Sequence, residues 1–174
     1  MKHKIQSVGK KILADTITPV SIFLKVRDRY ANSILLESSD YHGSENSLSY
    51  ICCDPIAGFK VSKGAITFDL PGGEQMTSKA EKVIPEIKNF LDQFEAHPLK
   101  ENFIHCGFFG FTTYQSVRHF ESVDIQNTTD EIPEMMYRLF RFVIVLDHFR
   151  NECHLIQNLA EGDQEELDAL EQLV

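Results

Sequence analysis

Residues 137–147, YRLFRFVIVLD, constrain this chain more than any other stretch. Leu139, Phe140, Phe142, Val143, Ile144, Val145 and Leu146 follow one another with only Arg141 between them. In a strand successive side chains point to opposite faces, so this run is apolar on both and needs cover on each side. The turn-forming His148-Phe149-Arg150-Asn151 then leads into a second strand-like run, residues 153–159. A short connection between two such runs implies an antiparallel pair at the centre of a layered fold.

The remaining chain supplies shorter strands and a few helices. After a short start of mixed polarity, Thr18-Pro19 precedes VSIFLKVRDRY, where Thr18 is an N-cap, Pro19 suits the first turn, and Ile22, Phe23, Val26 and Tyr30 make a helical stripe. A strand-like run at 48–53 is expected to stop at Asp54-Pro55. Residues 59–61 and 65–68 flank Ser62-Lys63-Gly64, a hairpin with Gly64 at positive φ. Pro71-Gly72-Gly73 closes that block. Val83, Ile84, Ile87, Phe90, Leu91 and Phe94 then recur at helical spacing, with Pro85 early enough to be tolerated. The aromatic run 103–111 carries Gly107 and Gly110 without the Lys-Ser/Thr of a phosphate loop, so these glycines mark a bulge or a close backbone approach. A short helix is expected over 114–120, and an acidic helix with Leu167, Leu170 and Val174 on one side closes the chain. That last helix stops with its apolar face cut off, as expected of a fragment. The fold class is α+β: mainly antiparallel sheet layers with a few flanking helices.

Ser33-Ile34-Leu35-Leu36-Glu37-Ser38-Ser39 is the run with most chemical content. Both of its faces begin apolar and finish polar, fitting a strand buried on both sides whose last residues, Glu37 and Ser38, reach a cavity. A strand simply running out to the surface has the same pattern.

Several function classes fall away on composition. A formal charge of −9 opposes a sequence-independent hold on nucleic acid or an anionic membrane. Cys52, Cys53, Cys106 and Cys153 make no CxxC pair, and the seven histidines have no metal spacing. No apolar run reaches the roughly twenty residues of a membrane span, and the N-terminus lacks the apolar core of a signal peptide, so a cytoplasmic location is expected. No nucleophile motif, phosphate loop or HExxH occurs. Carboxylates such as Glu37, Asp54, Glu121 and Asp147 have no diagnostic spacing.

A series of segments in order carries a resemblance. DTITPVSIFLKV followed by NSILLESS is similar to the N-terminal part of anthranilate synthase component I, within the chorismate-utilising enzymes. Residues 47–55, SLSYICCDP, sit where that family has a pattern like RYSFIG followed by two residues and Pro. Here Ser47-Leu48 replaces its Arg-Tyr and Cys52 its Gly. Gly107, Gly110, Tyr114, Val117, Arg118, Phe120 and Glu121 resemble its G..GY..YD.VR.FE, with Gln115 in place of the Asp. Ile132-Pro133-Glu134-Met135 and Val145-Leu146-Asp147-His148 resemble the next recurring segments.

The resemblance implies that residues 1–174 are an N-terminal regulatory region, truncated before the catalytic chorismate-binding part. It implies a parent that converts chorismate and ammonia to anthranilate and pyruvate, with Mg²⁺ held by residues absent here, a glutamine amidotransferase subunit (component II) as partner, and L-tryptophan as feedback inhibitor. In the family the LLES strand lines the tryptophan site. By that implication Ser38 and Glu37 make the polar contacts, Leu36 packs, and Tyr50 is a further candidate on the adjacent strand. A zwitterionic amino acid needs an acceptor for its ammonium and an apolar slot for its indole, and such a strand end offers both. Aminodeoxychorismate synthase component I, which shares the scaffold, and a stand-alone amino-acid-binding module are the alternatives.

Overall fold

A computed structural model describes residues 2–37, 47–123, 125 and 131–174. Their elements run β1 (His3–Leu13), α1 (Pro19–Arg29), β2 (Ile34–Glu37), β3 (Leu48–Ser62), β4 (Ala65–Asp69), β5 (Gln75–Lys79), α2 (Val83–Leu91), β6 (Phe94–His97), β7 (Phe108–Thr112), a 3₁₀ turn (Tyr114–His119), β8 (Met135–Asp147), β9 (Glu152–Leu159) and α3 (Leu167–Leu173). Every strand pair of defined register is antiparallel, giving the expected α+β class. The chain divides into two compact units: Met1–His3, Ile56–Glu95 and Phe108–Leu139 form one, and Lys4–Pro55, Ala96–Gly107 and Phe140–Val174 the other.

The second unit is built on β8 and β9, paired from Phe142↔Gln157 to Asp147↔Glu152. The carboxylate of Asp147 closes their turn, accepting from the backbone N–H of Phe149 at 3.0 Å and of Arg150 at 2.9 Å. β1 pairs along the other side of β9, from Gln6↔Leu159 to Leu13↔Glu152. One face of this sheet carries Phe142, Ile144, Leu146, Cys153 and Leu155, packed with Ile22 and Val26 of α1 and Leu167 and Leu170 of α3. α1 begins as its sequence dictates: Thr18 and Ser21 exchange side-chain and backbone hydrogen bonds in a capping box, with Pro19 at the first helical position.

The opposite face, carrying His154, Ile156 and Asn158, is covered by residues 96–107. The Phe103 ring stands 4.9 Å from that of His154, and a Cβ on Gly9 would come within 2.6 Å of Leu99 Cδ1. Two adjacent buried amides fasten the two covers. Asn158 Nδ2 donates to the carbonyls of His105 and Phe140, both at 3.0 Å, while its Oδ1 accepts from Ser7 at 2.8 Å. Gln157, on the other face, donates to the Gln164 carbonyl at 2.8 Å and accepts from the Glu166 N–H at 2.7 Å, just before α3. His105 is buried too, donating to the Phe103 carbonyl through Nδ1 while Nε2 accepts from the Leu99 N–H at 2.9 Å.

In the first unit, β3 and β4 form the expected hairpin, Ser62↔Ala65, with Lys63 at φ 52° and Gly64 at φ 71°. Two consecutive positive φ values match the twist of the strands they join. An aromatic cluster centred on Phe90 of α2 holds this unit together. Its ring lies 4.9 Å from Phe68, 5.1 Å from Phe94 and 5.7 Å from Phe108. β7 pairs with β8, Phe108↔Leu139 to Thr112↔Met135. Gly110 in β7 is the close backbone approach that its sequence context announces: a Cβ there would lie 1.9 Å from the Met136 carbonyl oxygen.

Several expectations need correction. The strand expected to end at Asp54-Pro55 continues to Ser62. Asp54 absorbs the irregularity at φ 58°, and Pro55 falls between the stretch paired with β2 and the stretch paired with β4, so its missing N–H removes no ladder bond on that flank. β2 is not buried on both sides: Ile34 and Leu35 are half-buried, and Leu36 and Glu37 are exposed. β1 and β5 are strands that the sequence patterning did not announce, the predicted helix at 114–120 is a 3₁₀ turn, and Phe94 opens β6 instead of ending α2. The turn-rich segment 40–46 and residues 126–130 lie outside the described residues.

Two substitutions probe this frame. Gly110→Ala should destabilise by about 3 kcal/mol or more, because the intruding methyl meets backbone, whereas Gly107→Ala, which meets only a side-chain methyl at 3.4 Å, should be nearly neutral. Asn158→Ala should cost about 2–3 kcal/mol by stranding buried polar partners and speed amide exchange within 96–107. Urea unfolding and hydrogen exchange read both.

Candidate functional site

β2 and β3 build the edge on which the expected ligand residues lie. Their register pairs Ile34↔Cys52, Leu35↔Ile51, Leu36↔Tyr50 and Glu37↔Ser49. Alternation therefore sorts the expected residues: Leu36 and Tyr50 share one face, and Glu37 shares the other with Ser49. Leu35 and Ile51, on the Glu37 face, belong to the core formed with α1. Leu36 is 37% exposed at the strand end, and Tyr50 is half-buried. Burial pushes the Tyr50 phenol up and the neighbouring Cys52 adds to this, while a hydrogen bond with the Ile104 backbone acts the other way. Ser38 lies outside the described residues.

Two neighbours of this edge were not singled out as ligand residues from sequence. Ser49, fully buried, hydrogen-bonds His148 Nε2 through its hydroxyl at 2.7 Å, and the His148 backbone N–H donates to the Ser47 carbonyl at 3.1 Å. His148 thus stands on the Glu37 side, where β8 ends. The signal for this pairing was present: residues 47–55 and 145–148 are both among the segments that carry the family resemblance. Next along the sheet, Arg141 bridges Asp54 and Asp163, each at 2.7 Å. Burial works against its charge, but the hydrogen bonds it donates to both carboxylates outweigh it and hold the guanidinium above its ordinary pKa.

Two further resembling segments, 107–121 and 132–135, also meet, within the first unit. Glu134 is buried and accepts from Arg118 Nη2 at 2.6 Å and from His119 Nε2 at 2.8 Å. Its backbone carbonyl takes the Thr113 N–H at 2.8 Å and the Ser116 hydroxyl at 2.6 Å, and its N–H donates to Val61 at 2.8 Å. This is an anchor for the 3₁₀ turn rather than a catalytic pair, because the carboxylate is consumed by its own chain.

The described residues include no group of three or more His, Cys, Asp or Glu placed to hold a metal ion. The thiols are poor nucleophiles: burial raises Cys52 strongly and pushes Cys53 and Cys153 up to about 12. An open cleft of about 300 Å³ beside residues 101–103 is lined by Lys11, Arg150, Glu152 and His154, but Lys11 and Glu152 are already paired at 2.8 Å. No described helix is long and apolar enough to cross a membrane.

No protein-family model matches this chain. Whole-sequence relatives do. The chain is 28% identical to anthranilate synthase component 1 of Thermus thermophilus, over 96% of its own length and 35% of that protein. It is 29% identical to the Mycobacterium tuberculosis protein of the same name, over 96% of its length and 34% of the relative. With the Lactococcus lactis protein it shares 26% over 86% of its length. A crystal structure of anthranilate synthase component I from Streptococcus pneumoniae has the same fold, with a TM-score of 0.51 at 19% identity, covering 94% of this chain and 34% of that one. The chain thus spans about a third of the length of the relatives it matches. Along nearly all of its own length, in sequence and in fold, it is similar to anthranilate synthase component 1.

Proposed function

We propose that this chain is the N-terminal, tryptophan-sensing portion of an anthranilate synthase component I. The observation that carries the reading is similarity over 96% of the chain to proteins of that name. The intact protein would be a cytoplasmic lyase of tryptophan biosynthesis, converting chorismate and ammonia to anthranilate and pyruvate. A glutamine amidotransferase subunit, component II, would supply the ammonia. Mg²⁺ and chorismate would be held by residues beyond these 174, and the chain alone would be inactive.

The chemistry of the β2–β3 edge supports the sensing role. Among the described residues β2 pairs only with β3, so a ligand lying along its outer edge meets Leu36 from one face and Glu37 from the other. The Glu37 carboxylate is an acceptor for the amino acid's ammonium, Ser38 adds a hydroxyl, and Leu36 with Tyr50 supplies the apolar side for the indole. The rest of the pocket belongs to the absent portion, so tryptophan bound there couples the two. Such coupling between sites is typically about 1–3 kcal/mol.

Tryptophan titration of the parent gene product's activity tests this. Glu37→Ala removes a charge-assisted hydrogen bond and should raise the inhibitory concentration about tenfold or more with kcat unchanged. A bulkier residue at Ser38 should relieve inhibition in the same way. Wild-type sensitivity in both variants would rule out this edge as the site. Because the chain has no Trp of its own, added tryptophan can be followed by its own fluorescence, and the isolated chain should bind it weakly or not at all.

A further inference from the structure

β5 is polar apart from Met76, and that one apolar side chain is 51% exposed. Register shows what it faces. Met76 pairs directly with Phe68 of β4, so the two share one face of their hairpin, and Ser78, two residues on, lies on the same face. An opposing wall comes from α2 and the turn after it. Glu86, Asn89, Phe90 and Gln93 recur at intervals of three or four residues and so fall on one side of the helix. With Leu70, Phe68 and Met76 they line an open cleft of about 170 Å³, entirely within the first unit.

The buried part of this lining is apolar: Phe68, Leu70 and Phe90. Polar groups sit nearer the solvent, with Glu86 and Gln93 half-buried and Asn89 exposed. One carboxylate oxygen of Glu86 accepts from the Ser78 hydroxyl, which fixes the group to the hairpin and leaves its other oxygen for a second donor. Among the described residues no basic side chain lines the cleft.

Size and charge together select an occupant. Roughly 150 Å³ of apolar space holds a benzene ring, so this cleft takes one ring with a short polar extension. A carboxylate beside aromatic rings favours a cation, through a charge-assisted hydrogen bond and through the negative faces of the rings. An anion would be repelled by both. The geometry points to a binding site for a small aromatic ammonium ion, its ring against Phe68, Phe90 and Met76 and its ammonium donating to Glu86. The flexible Met76 thioether closes over the ring at the exposed side. No residue of the β2–β3 edge takes part, so this site stands or falls apart from the tryptophan-sensing reading.

Benzylammonium chloride is the probe, titrated into the chain with isotopically labelled methionine methyls and followed by NMR, the Met76 signal being assigned by its loss in Met76→Leu. That signal should shift saturably, with a dissociation constant on the order of 1 mM, as befits about eight non-hydrogen atoms. Benzyl alcohol, of the same shape without the charge, should bind about tenfold more weakly, and benzoate should leave the signal unmoved. Glu86→Gln should weaken benzylammonium to the level of benzyl alcohol, while Glu37→Ala should leave its affinity unchanged. An unmoved Met76 signal would overturn the site, and equal affinities for benzylammonium and benzyl alcohol would overturn the choice of a cation. Binding lost in Glu37→Ala but kept in Glu86→Gln would assign the probe to the β2–β3 edge and likewise overturn the cleft. The comparison of the three probes uses the unmodified chain, so it decides the matter even where a variant fails to fold.

Discussion

A strand pair buried on both faces has to be covered twice, and the second unit is arranged to satisfy that demand on β8 and β9. One cover is helical, α1 and α3. The other is irregular, residues 96–107, and an irregular cover brings backbone polar groups into the interior that must be satisfied. Asn158 and Gln157, adjacent on β9 and therefore facing opposite ways, each secure one cover. Removing either amide would leave buried carbonyl or N–H groups without partners, a larger loss than the hydrogen bond itself. Among the described residues no buried side-chain polar atom lacks a partner.

The candidate site depends on this frame. β3 is held on one flank by β8, and its other flank carries the short strand β2 with Leu36 and Glu37 at its exposed end. An inner strand paired on both flanks and a short outer strand with an exposed end suit the half-site proposed above, in which β3 would orient Leu36 and Glu37. The buried thiols and carboxylates serve the fold: Cys53 and Cys153 lie in the core, and Glu134 and Asp147 bond groups of their own chain.

Where apolar patterning and turn chemistry agreed, the sequence was readable. The β8–β9 pair, the capped helix α1, the hairpin at Lys63-Gly64 and the tight approach at Gly110 all follow from residue types with a single physical use. β1 was hidden because Ile5 is followed on the same face by Ser7, which serves Asn158, and by the exposed Gly9, which makes room for Leu99, so its alternation is not one of apolar side chains. β5 was hidden because it is an edge strand with mostly exposed polar residues, held by backbone pairing to β4 and by the Ser78 hydroxyl donating to Glu86 of α2. At the site, sequence named Leu36, Glu37 and Tyr50 but not the strand register that sends Glu37 to the Ser49–His148 side. Register is a tertiary property, and a shift of one residue reverses every face.

The account stands or falls most directly on the product formed by the parent enzyme. Supplied with chorismate, ammonia and Mg²⁺, the full gene product is predicted to release anthranilate and pyruvate, with the rate falling as L-tryptophan is added. Accumulation of aminodeoxychorismate, or no consumption of chorismate by a folded full-length protein, would contradict it.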